Sequence, residues 1–334
     1  MSTSSRKKED TQLEQGIWDI NKIEEKVVKP NQWGAVGART FKAFSVTHTK
    51  LPQGCYSVSK DMSDDRIIFI GKYIKSDKIM RFKGGMTDQL LHEIDDFWNR
   101  EQNFIDNGFL HRRGYLLYGS QGTGKSSIVW QVAQDVIRRG GVVFVCDNPK
   151  FFAEGLKVFR NVESGRPIVC VFEDIDAIIR KYGEAEILSL LDGDNQVDRV
   201  LNLATTNYPE LLDKRIVSRP RRFDRIYKIV SPDDAVRVAF LKTKLPKNEN
   251  LKLWIKKTKG LSFAALAESL ISVLCLGNDL TETVKILKDI ESKNPKSSDF
   301  GTEIGFGPDD DDEDDDEDKS PRRSKRLKST PRSR

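Results

Sequence analysis

The sequence predicts an α/β fold in which a parallel sheet carries a phosphate-binding loop and is covered by helices. Two observations predict it. Short apolar runs alternate with helical segments over residues 84–232, a pattern typical of parallel sheets, and one of these runs leads into a Gly-rich loop. Residues 233–290 carry only helical patterns and predict a small all-helical lid. Short β-rich runs at 51–83 predict a small β-rich element before the sheet.

The composition excludes several classes of protein. The 334 residues are 37% hydrophobic, which suffices for two or three domains. No run approaches the roughly 20 apolar residues of a membrane helix, and no apolar secretory segment occurs in the first residues, MSTSSRKKED. The four cysteines and three histidines are scattered, so neither a disulfide framework nor a zinc module is expected. We therefore expect a cytoplasmic protein without a membrane partner.

Both ends of the chain are strongly polar. Residues 1–50 predict a partly disordered N-terminal arm, and residues 291–334 a disordered tail. In the tail, a run of acidic residues at 309–318 precedes a strongly basic stretch at 319–334. Three interpretations stay open: the basic stretch binds nucleic acid, it directs the chain to the nucleus, or the tail is solvated and has no specific role.

The most informative motif follows the apolar strand Tyr115–Tyr118. The next eight residues, GSQGTGKS, match the pattern G-x-x-x-x-G-K-[ST] in full. In this motif Lys125 contacts the β- and γ-phosphates of a nucleotide and the hydroxyl of Ser126 binds Mg²⁺. The N-terminus of the following helix favours the same anion. The predicted nucleotide-binding residues are Gly119, Ser120, Gln121, Gly122, Thr123, Gly124, Lys125, Ser126 and Ser127.

Two carboxylates follow a second apolar run. Ile168–Phe172 predicts a buried strand, and Glu173 and Asp174 stand at its C-terminal end, where open α/β sheets bind ligands. We expect Glu173 to hold the hydration shell of Mg²⁺ and Asp174 to polarise the water that attacks the γ-phosphate. Adjacent carboxylates favour hydrolysis over a GTPase switch or a small-molecule kinase. Asp176 is a third candidate, for which a structural role is favoured.

A sensor and two arginines complete the predicted site. Asn207 follows the strand predicted at 200–204, so its side chain is expected near the γ-phosphate or the attacking water. Arg219 and Arg222 then occur in the segment RPRR, where they fit arginine fingers that enter the nucleotide site of a neighbouring subunit. This interpretation implies a ring of subunits. A basic surface turn is the alternative.

Taken in this order, the four motifs resemble the AAA family of P-loop ATPases over residues 84–290. The carboxylate order, FEDID, is most similar to the branch that contains the mitochondrial AAA ATPase assembling the Rieske iron–sulfur subunit, although no membrane anchor is predicted here. The resemblance implies strand order 5-1-4-3-2, ATP and Mg²⁺ as cofactors, and a homo-oligomeric ring of six or seven subunits. It also places Gly84–Met86 near the adenine.

The chain departs from the family pattern at two places. Arg221 stands where the family usually has the glycine of RPGR, and Ser218 resembles an insertion, which changes the expected path of the arginine loop. In the lid, Phe263 occupies a position where a glycine is usual. The resemblance therefore implies a lid side chain near the nucleotide that differs from the family's.

From these features we predict a Mg²⁺-dependent ATPase that remodels a protein or protein complex, with a protein substrate or adaptor as its partner. The alternative is a motor or loader on nucleic acid, in replication or packaging, that uses the basic surface and tail. Phe151 and Phe152 are the only candidates for a pore-facing aromatic, and packing under a short helix is the other interpretation. The β-rich element either recognises a substrate or packs on the ATPase domain.

Overall fold

A seven-stranded sheet forms the centre of the computed structural model, which describes residues 32–37, 40–44, 47–63, 65–72, 85–192, 197–217 and 221–293. Two further strands, β1 (Gln32–Gly37) and β2 (Thr40–Phe44), pair antiparallel in a small sheet of their own. The strands of the large sheet are β3 (Cys55–Lys60), β4 (Ile67–Gly71), β5 (Arg112–Tyr118), β6 (Val142–Val145), β7 (Ile168–Phe172), β8 (Val200–Thr206) and β9 (Arg225–Lys228).

Five parallel strands lie in the order β6-β7-β8-β5-β9. Numbered along the chain from β5, this is the order 5-1-4-3-2 seen from the opposite edge, so the predicted order is confirmed. The sequence explains the arrangement, because β6 and β7 are continuous apolar runs that are buried along their whole length. Such runs are typical of parallel sheets that are covered on both faces.

The β-rich element extends this sheet. β3 pairs antiparallel with β4 and in parallel with β6, so the hairpin adds two strands at the β6 edge. The apolar run IMRF, which also suggested a strand, lies outside the described residues. The hairpin therefore forms one edge of the large sheet, and this agrees with one of the two interpretations left open by the sequence.

Helices cover the sheet, and a helical group follows it. The helices are α1 (Gly85–Asn99), α2 (Glu101–Asp106), α3 (Lys125–Arg138), α4 (Pro149–Val162), α5 (Ile175–Tyr182), α6 (Glu184–Asp192), α7 (Lys214–Val217), α8 (Asp234–Lys244), α9 (Leu251–Lys257), α10 (Phe263–Leu270) and α11 (Leu280–Lys293). A 3₁₀ turn spans Pro209–Leu211, and a π-helical turn, Ile271–Cys275, continues α10. Within the described ranges, no helix combines the length and the apolar character needed to cross a bilayer.

Local signals account for several helix ends. Asn148 caps α4 by accepting the N–H of Lys150, and Pro149 follows at the first helical position. Ser262 caps α10 by accepting the N–H of Ala265. Each cap supplies an acceptor to a backbone N–H that the first helical turn leaves without one.

Alternating side chains of the central strands fill a core on each face of the sheet. On one face, Leu117 and Val171 pack in a cluster with residues of α1 and α3. On the other, Phe172 contacts Phe152 of α4. The lid has its own core around Trp254. The predicted N-terminal arm before residue 32 and the tail after residue 293 lie outside the described residues.

Candidate nucleotide-binding site

The phosphate loop lies between β5 and α3, at the C-terminal edge of the sheet. Gly122 has a φ of +75°, which favours glycine, and a Cβ there would come within 2.8 Å of the Ala264 side chain in the lid. The first backbone N–H groups of α3 have no acceptor within the helix and point out of its N-terminus. The loop therefore combines backbone donors with a positive helix end, as an anion site requires.

Lys125 is buried at the centre of this loop. It is 7% exposed, and its Nζ donates to the carbonyl oxygens of Gly119 at 2.7 Å and Ser120 at 2.8 Å. Burial lowers the pKa of Lys125 to about 8, and the carboxylates of Asp174 and Asp176 oppose this shift. The two carboxylates therefore offset only part of the cost of burying the ammonium charge, and an anionic phosphate bound at the loop would stabilise that charge.

Asp174 and Asn207 meet at the ends of the neighbouring strands β7 and β8. The amide Nδ2 of Asn207 donates to Oδ1 of Asp174 at 3.3 Å, and both residues line the same cavity as Lys125. The backbone N–H of Asp174 donates to Oγ1 of Thr205 at 3.0 Å. Asp174 has a φ of +47°, an uncommon conformation for a residue with a side chain. The predicted water-activating carboxylate and the predicted sensor therefore lie together.

The other two carboxylates of this strand end face elsewhere. Glu173 is half-buried and does not line the cavity. Asp176 is 7% exposed, accepts from Oγ1 of Thr206 at 2.6 Å and pairs with Arg180 at 3.5 Å. Asp176 therefore has partners within the chain. The shorter carboxylate of the Glu–Asp pair, and not the longer one, reaches the cavity.

The cavity has a volume of about 910 Å³ and is closed on one side by the lid. The N–H of Ala264 donates to the carbonyl of Gly122 at 3.1 Å, so the lid contacts the phosphate loop through the main chain. Phe263 lines the cavity and packs edge-on against Phe240, with ring centroids 5.9 Å apart. An apolar wall faces the polar phosphate end, an arrangement that suits a ligand with a flat ring at one end and charge at the other.

These residues fit ATP with Mg²⁺. The loop provides backbone donors and a lysine for the phosphates, and Ser126 supplies a hydroxyl on the cavity wall. Within the described part of the chain, no group of three or more His, Cys, Asp or Glu residues is arranged to hold a metal ion. A bound Mg²⁺ would therefore rely on phosphate oxygens and the Ser126 hydroxyl, which is typical of this ion in nucleotide sites.

The comparison with known families agrees with this geometry. Residues 115–231 match the family described as ATPase family associated with various cellular activities (AAA). Over these residues the chain is an AAA ATPase domain by similarity. The match supports ATP hydrolysis by this domain, as the sequence predicted. The matched segment runs from β5 to just beyond β9, so it includes the phosphate loop, Asp174 and Asn207.

Several relatives share the AAA domain. The chain is 30% identical over 226 residues to the ATP-dependent zinc metalloprotease FtsH of Aster yellows witches'-broom phytoplasma, covering 60% of this chain and 33% of the relative. It is 30% identical over 216 residues to the proteasome-activating nucleotidase of Methanococcus vannielii, covering 56% and 50%. The nucleotidase of Saccharolobus islandicus is 28% identical over 273 residues, covering 72% and 65%. The chain spans a third to a half of the length of the first two relatives.

The arginine segment of the AAA domain lies partly outside the described residues, and Arg219 is among those outside. Arg222 is 4% exposed, and its Nε donates to Oδ2 of Asp192 at 2.5 Å. Its Nη1 donates to the carbonyl of Arg215. Arg222 does not line the cavity of its own subunit. In this arrangement its guanidinium is held inside its own chain.

Some residues that line the cavity of the AAA domain could not be identified from the sequence. The apolar periodicity of α10 and the π-helical turn is that of an ordinary core helix, yet Ala267, Leu270 and Leu274 line the cavity. A cavity wall and a core produce the same helical periodicity, so the pattern carried no signal to separate them. Thr87 of α1 also lines the cavity. Of the nearby segment expected at the adenine, Gly84 lies outside the described residues.

Proposed function

We propose that this chain assembles as a homo-oligomeric ring and uses ATP hydrolysis to remodel a protein or protein complex. The observation that carries the hydrolytic part is the contact between Asp174 and Asn207 at the cavity that also contains Lys125. A carboxylate positioned by an amide, opposite a phosphate-binding lysine, is suited to activating water beside a terminal phosphate.

Each residue has a distinct role in this mechanism. The N-terminus of α3 and the loop N–H groups bind the phosphates, and Lys125 neutralises their charge. Asp174 accepts the proton of the attacking water, while Asn207 holds the carboxylate in place. Ser126 would ligate Mg²⁺. The sequence names Glu173 for the hydration shell of the ion, although Glu173 does not line the cavity. When bound, Mg²⁺ would neutralise part of the negative charge of the phosphates.

The site is completed by the arginine segment of a neighbouring subunit. The sequence names Arg219 and Arg222 as the fingers. Such a guanidinium stabilises the charge of the transition state and contributes roughly 10³-fold or more to turnover. A ring with ATP at each interface follows from this arrangement. The number of subunits, six or seven, rests on the family resemblance.

A protein substrate is favoured by the relatives. One is named a metalloprotease and another a proteasome-activating nucleotidase, and both names refer to the handling of proteins. The expected pore aromatic has a different position here, because Phe152 is 1% exposed and packs on Phe172 at 5.6 Å. Phe151 is half-buried on the same helix. Phe151 is therefore the remaining candidate for a pore-facing aromatic.

The test compares two kinds of stimulation. ATP turnover by the full chain is measured with increasing amounts of reduced, alkylated α-lactalbumin, and separately with a double-stranded DNA fragment. We expect the unfolded protein to raise turnover and DNA to have no effect. Asp174→Asn is the control that assigns turnover to this site.

DNA stimulation that falls steeply between about 50 and 200 mM salt would instead support the nucleic-acid motor, because phosphate contacts release counterions on binding. Sizing by light scattering in the presence of ATP tests the ring independently. A chain that remains a monomer at full turnover would contradict the proposal.

A further inference from the structure

The carboxylate that faces the cavity belongs to the residue at which α5 begins. Asp174 is the N-cap of this helix, and its carbonyl oxygen accepts the N–H groups of Ala177 at 2.8 Å and Ile178 at 3.2 Å. An aspartate at an N-cap commonly accepts a backbone N–H of the first turn with its own carboxylate. Asp174 makes no such side-chain bond. The carboxylate is therefore not used to cap the helix that it precedes.

The backbone of Asp174 accounts for the missing side-chain cap. A capping aspartate typically has an extended backbone, which brings its carboxylate over the first turn. Asp174 instead has a φ of +47° and a ψ of +56°, in the left-handed region that a residue with a Cβ adopts at a cost. In this conformation Oδ1 accepts from Nδ2 of Asn207 at 3.3 Å, and Asp174 lines the cavity. Such a conformation persists only where the surrounding structure supports it.

A threonine of the neighbouring strand supplies this support. The N–H of Asp174 donates to Oγ1 of Thr205 at 3.0 Å. Thr205 follows Ala204 in β8, and Ala204 pairs with Phe172 at the end of β7, so the bond joins the ends of two adjacent strands. Thr205 is 2% exposed and lines the same cavity. One buried hydroxyl oxygen therefore holds the backbone of the residue that carries the cavity-facing carboxylate.

The next threonine of β8 has the same chemistry and different partners. Successive side chains of a strand point to opposite faces of the sheet. Oγ1 of Thr206 donates to Oδ1 of Asp176 at 2.6 Å and accepts the N–H of Tyr208 at 3.0 Å, and Thr206 does not line the cavity. Thr206 thus holds α5 against the end of β8, whereas Thr205 holds Asp174 at the cavity.

We infer that Thr205 is a positioning residue for ATP hydrolysis, because its hydroxyl oxygen keeps Asp174 in the backbone conformation that directs the carboxylate away from α5 and towards the attacking water. The inference rests on the proposed function and adds the group that orients its proton acceptor. Without this acceptor, an extended backbone with the carboxylate capping α5 becomes the favourable alternative. A displacement of about 1 Å at a reacting group can lower the rate roughly 100-fold.

Thr205→Val is the decisive variant, because valine has nearly the same shape and lacks the hydroxyl. We expect kcat to fall roughly 10- to 100-fold. The Kd of a non-hydrolysable ATP analogue should stay at the wild-type value, because the phosphate loop is unchanged. Thr205→Ser keeps the acceptor and should restore most of the kcat. A wild-type kcat in Thr205→Val, or a Thr205→Ser variant as slow as Thr205→Val, would overturn the inference.

A second background distinguishes action through Asp174 from a general effect on folding. Asp174→Asn already lacks the proton acceptor, so adding Thr205→Val should cause no further loss of the residual turnover. An equal fractional loss in both backgrounds would show that Thr205 does not act through Asp174. Urea denaturation verifies that each variant is folded under the assay conditions. If Thr205→Val folds poorly, Thr205→Ala, which also lacks the hydroxyl and adds no bulk, replaces it in both assays.

The same measurements separate this inference from the proposed function. A wild-type chain without ATP turnover, or an Asp174→Asn variant with full turnover, would contradict the proposed function itself. Loss of turnover in Asp174→Asn together with wild-type turnover in Thr205→Val would contradict only the role of Thr205.

Discussion

Asn207 donates a hydrogen bond of 3.3 Å to the carboxylate of Asp174 across the ends of two adjacent parallel strands. Thirty-three positions apart in the chain, the two side chains meet because β7 and β8 end at the same edge of the sheet. The contact leaves the second carboxylate oxygen of Asp174 available to a water molecule. Of the adjacent carboxylates Glu173 and Asp174, Asp174 is the one that lines the cavity.

Replacing the two carboxylates one at a time should have unequal effects. Asp174→Asn removes the proton acceptor, so kcat should fall by about 10²–10⁴-fold while ATP binding persists. Glu173→Gln should cause a smaller loss of kcat, because Glu173 does not line the cavity. Turnover at saturating Mg²⁺-ATP and binding of a fluorescent ATP analogue measure the two quantities. A larger loss in Glu173→Gln than in Asp174→Asn would reverse the assigned roles.

ATP binding should take up a proton at alkaline pH. Burial lowers the pKa of Lys125 to about 8 in the free chain, so the amine is largely neutral at pH 9. Bound phosphate favours the ammonium form, and ATP affinity should therefore decline as pH rises above 8, by up to about tenfold per pH unit.

Calorimetry of ATP binding at pH 9, in two buffers with different ionisation enthalpies, counts the protons taken up. Lys125→Arg is the matched control, because its guanidinium stays charged and should remove the uptake.

The lowered pKa of Lys125 also affects the stability of the free chain. The unfolded chain binds more protons than the folded one between pH 8 and 10.5, so the nucleotide-free chain should become more stable as pH rises through this range. Binding at pH 9 without proton uptake would mean that Lys125 is already charged there.

The lid aromatic should contribute to nucleotide affinity. Phe263 lines the cavity and packs on Phe240. Phe263→Gly removes this wall and adds backbone freedom at the start of α10, so the Kd for ATP should rise about tenfold with a smaller change in kcat. Phe263→Leu keeps an apolar side chain and should have a weaker effect. An unchanged Kd in both variants would show that the ring of Phe263 serves the lid core alone.

Arg222 should be a determinant of stability. Arg222→Ala removes the ion pair between the buried guanidinium and Asp192, and the loss of such a pair should lower the free energy of unfolding by at most about 3–5 kcal/mol. Urea denaturation of the wild type, Arg222→Ala, Asp192→Asn and the double variant measures the coupling. We expect the double variant to be destabilised by less than the sum of the single changes. Additive effects would indicate that the pair does not act as a unit.

Local motifs made most of the fold and the centre of the site predictable. The phosphate loop lies within eight consecutive residues, and the strand ends that carry Asp174 and Asn207 follow continuous apolar runs. The environment of Arg222 was not predictable, because its partner Asp192 lies thirty positions earlier on a separate helix. The conformation of Arg221 depends in the same way on Asp224 and on the close approach of Gly114.

The position of the β-rich hairpin in the sheet also could not be predicted from local sequence patterns. Alternating apolar and polar residues predict a half-buried strand but do not name its neighbour. Only the pairing of β3 with β6 shows that the hairpin continues the central sheet.

The hydrogen bond from Ala264 to Gly122 joins lid and loop without using a side chain. Both the donor and the acceptor are backbone groups, so the bond depends on the positions of the two main-chain segments and not on the chemistry of a side chain. If the loop rearranges when phosphate is released, either this hydrogen bond breaks or α10 moves together with the loop. In the second case, hydrolysis of the phosphate bond is coupled to a movement of α10 and of the helices that pack against it.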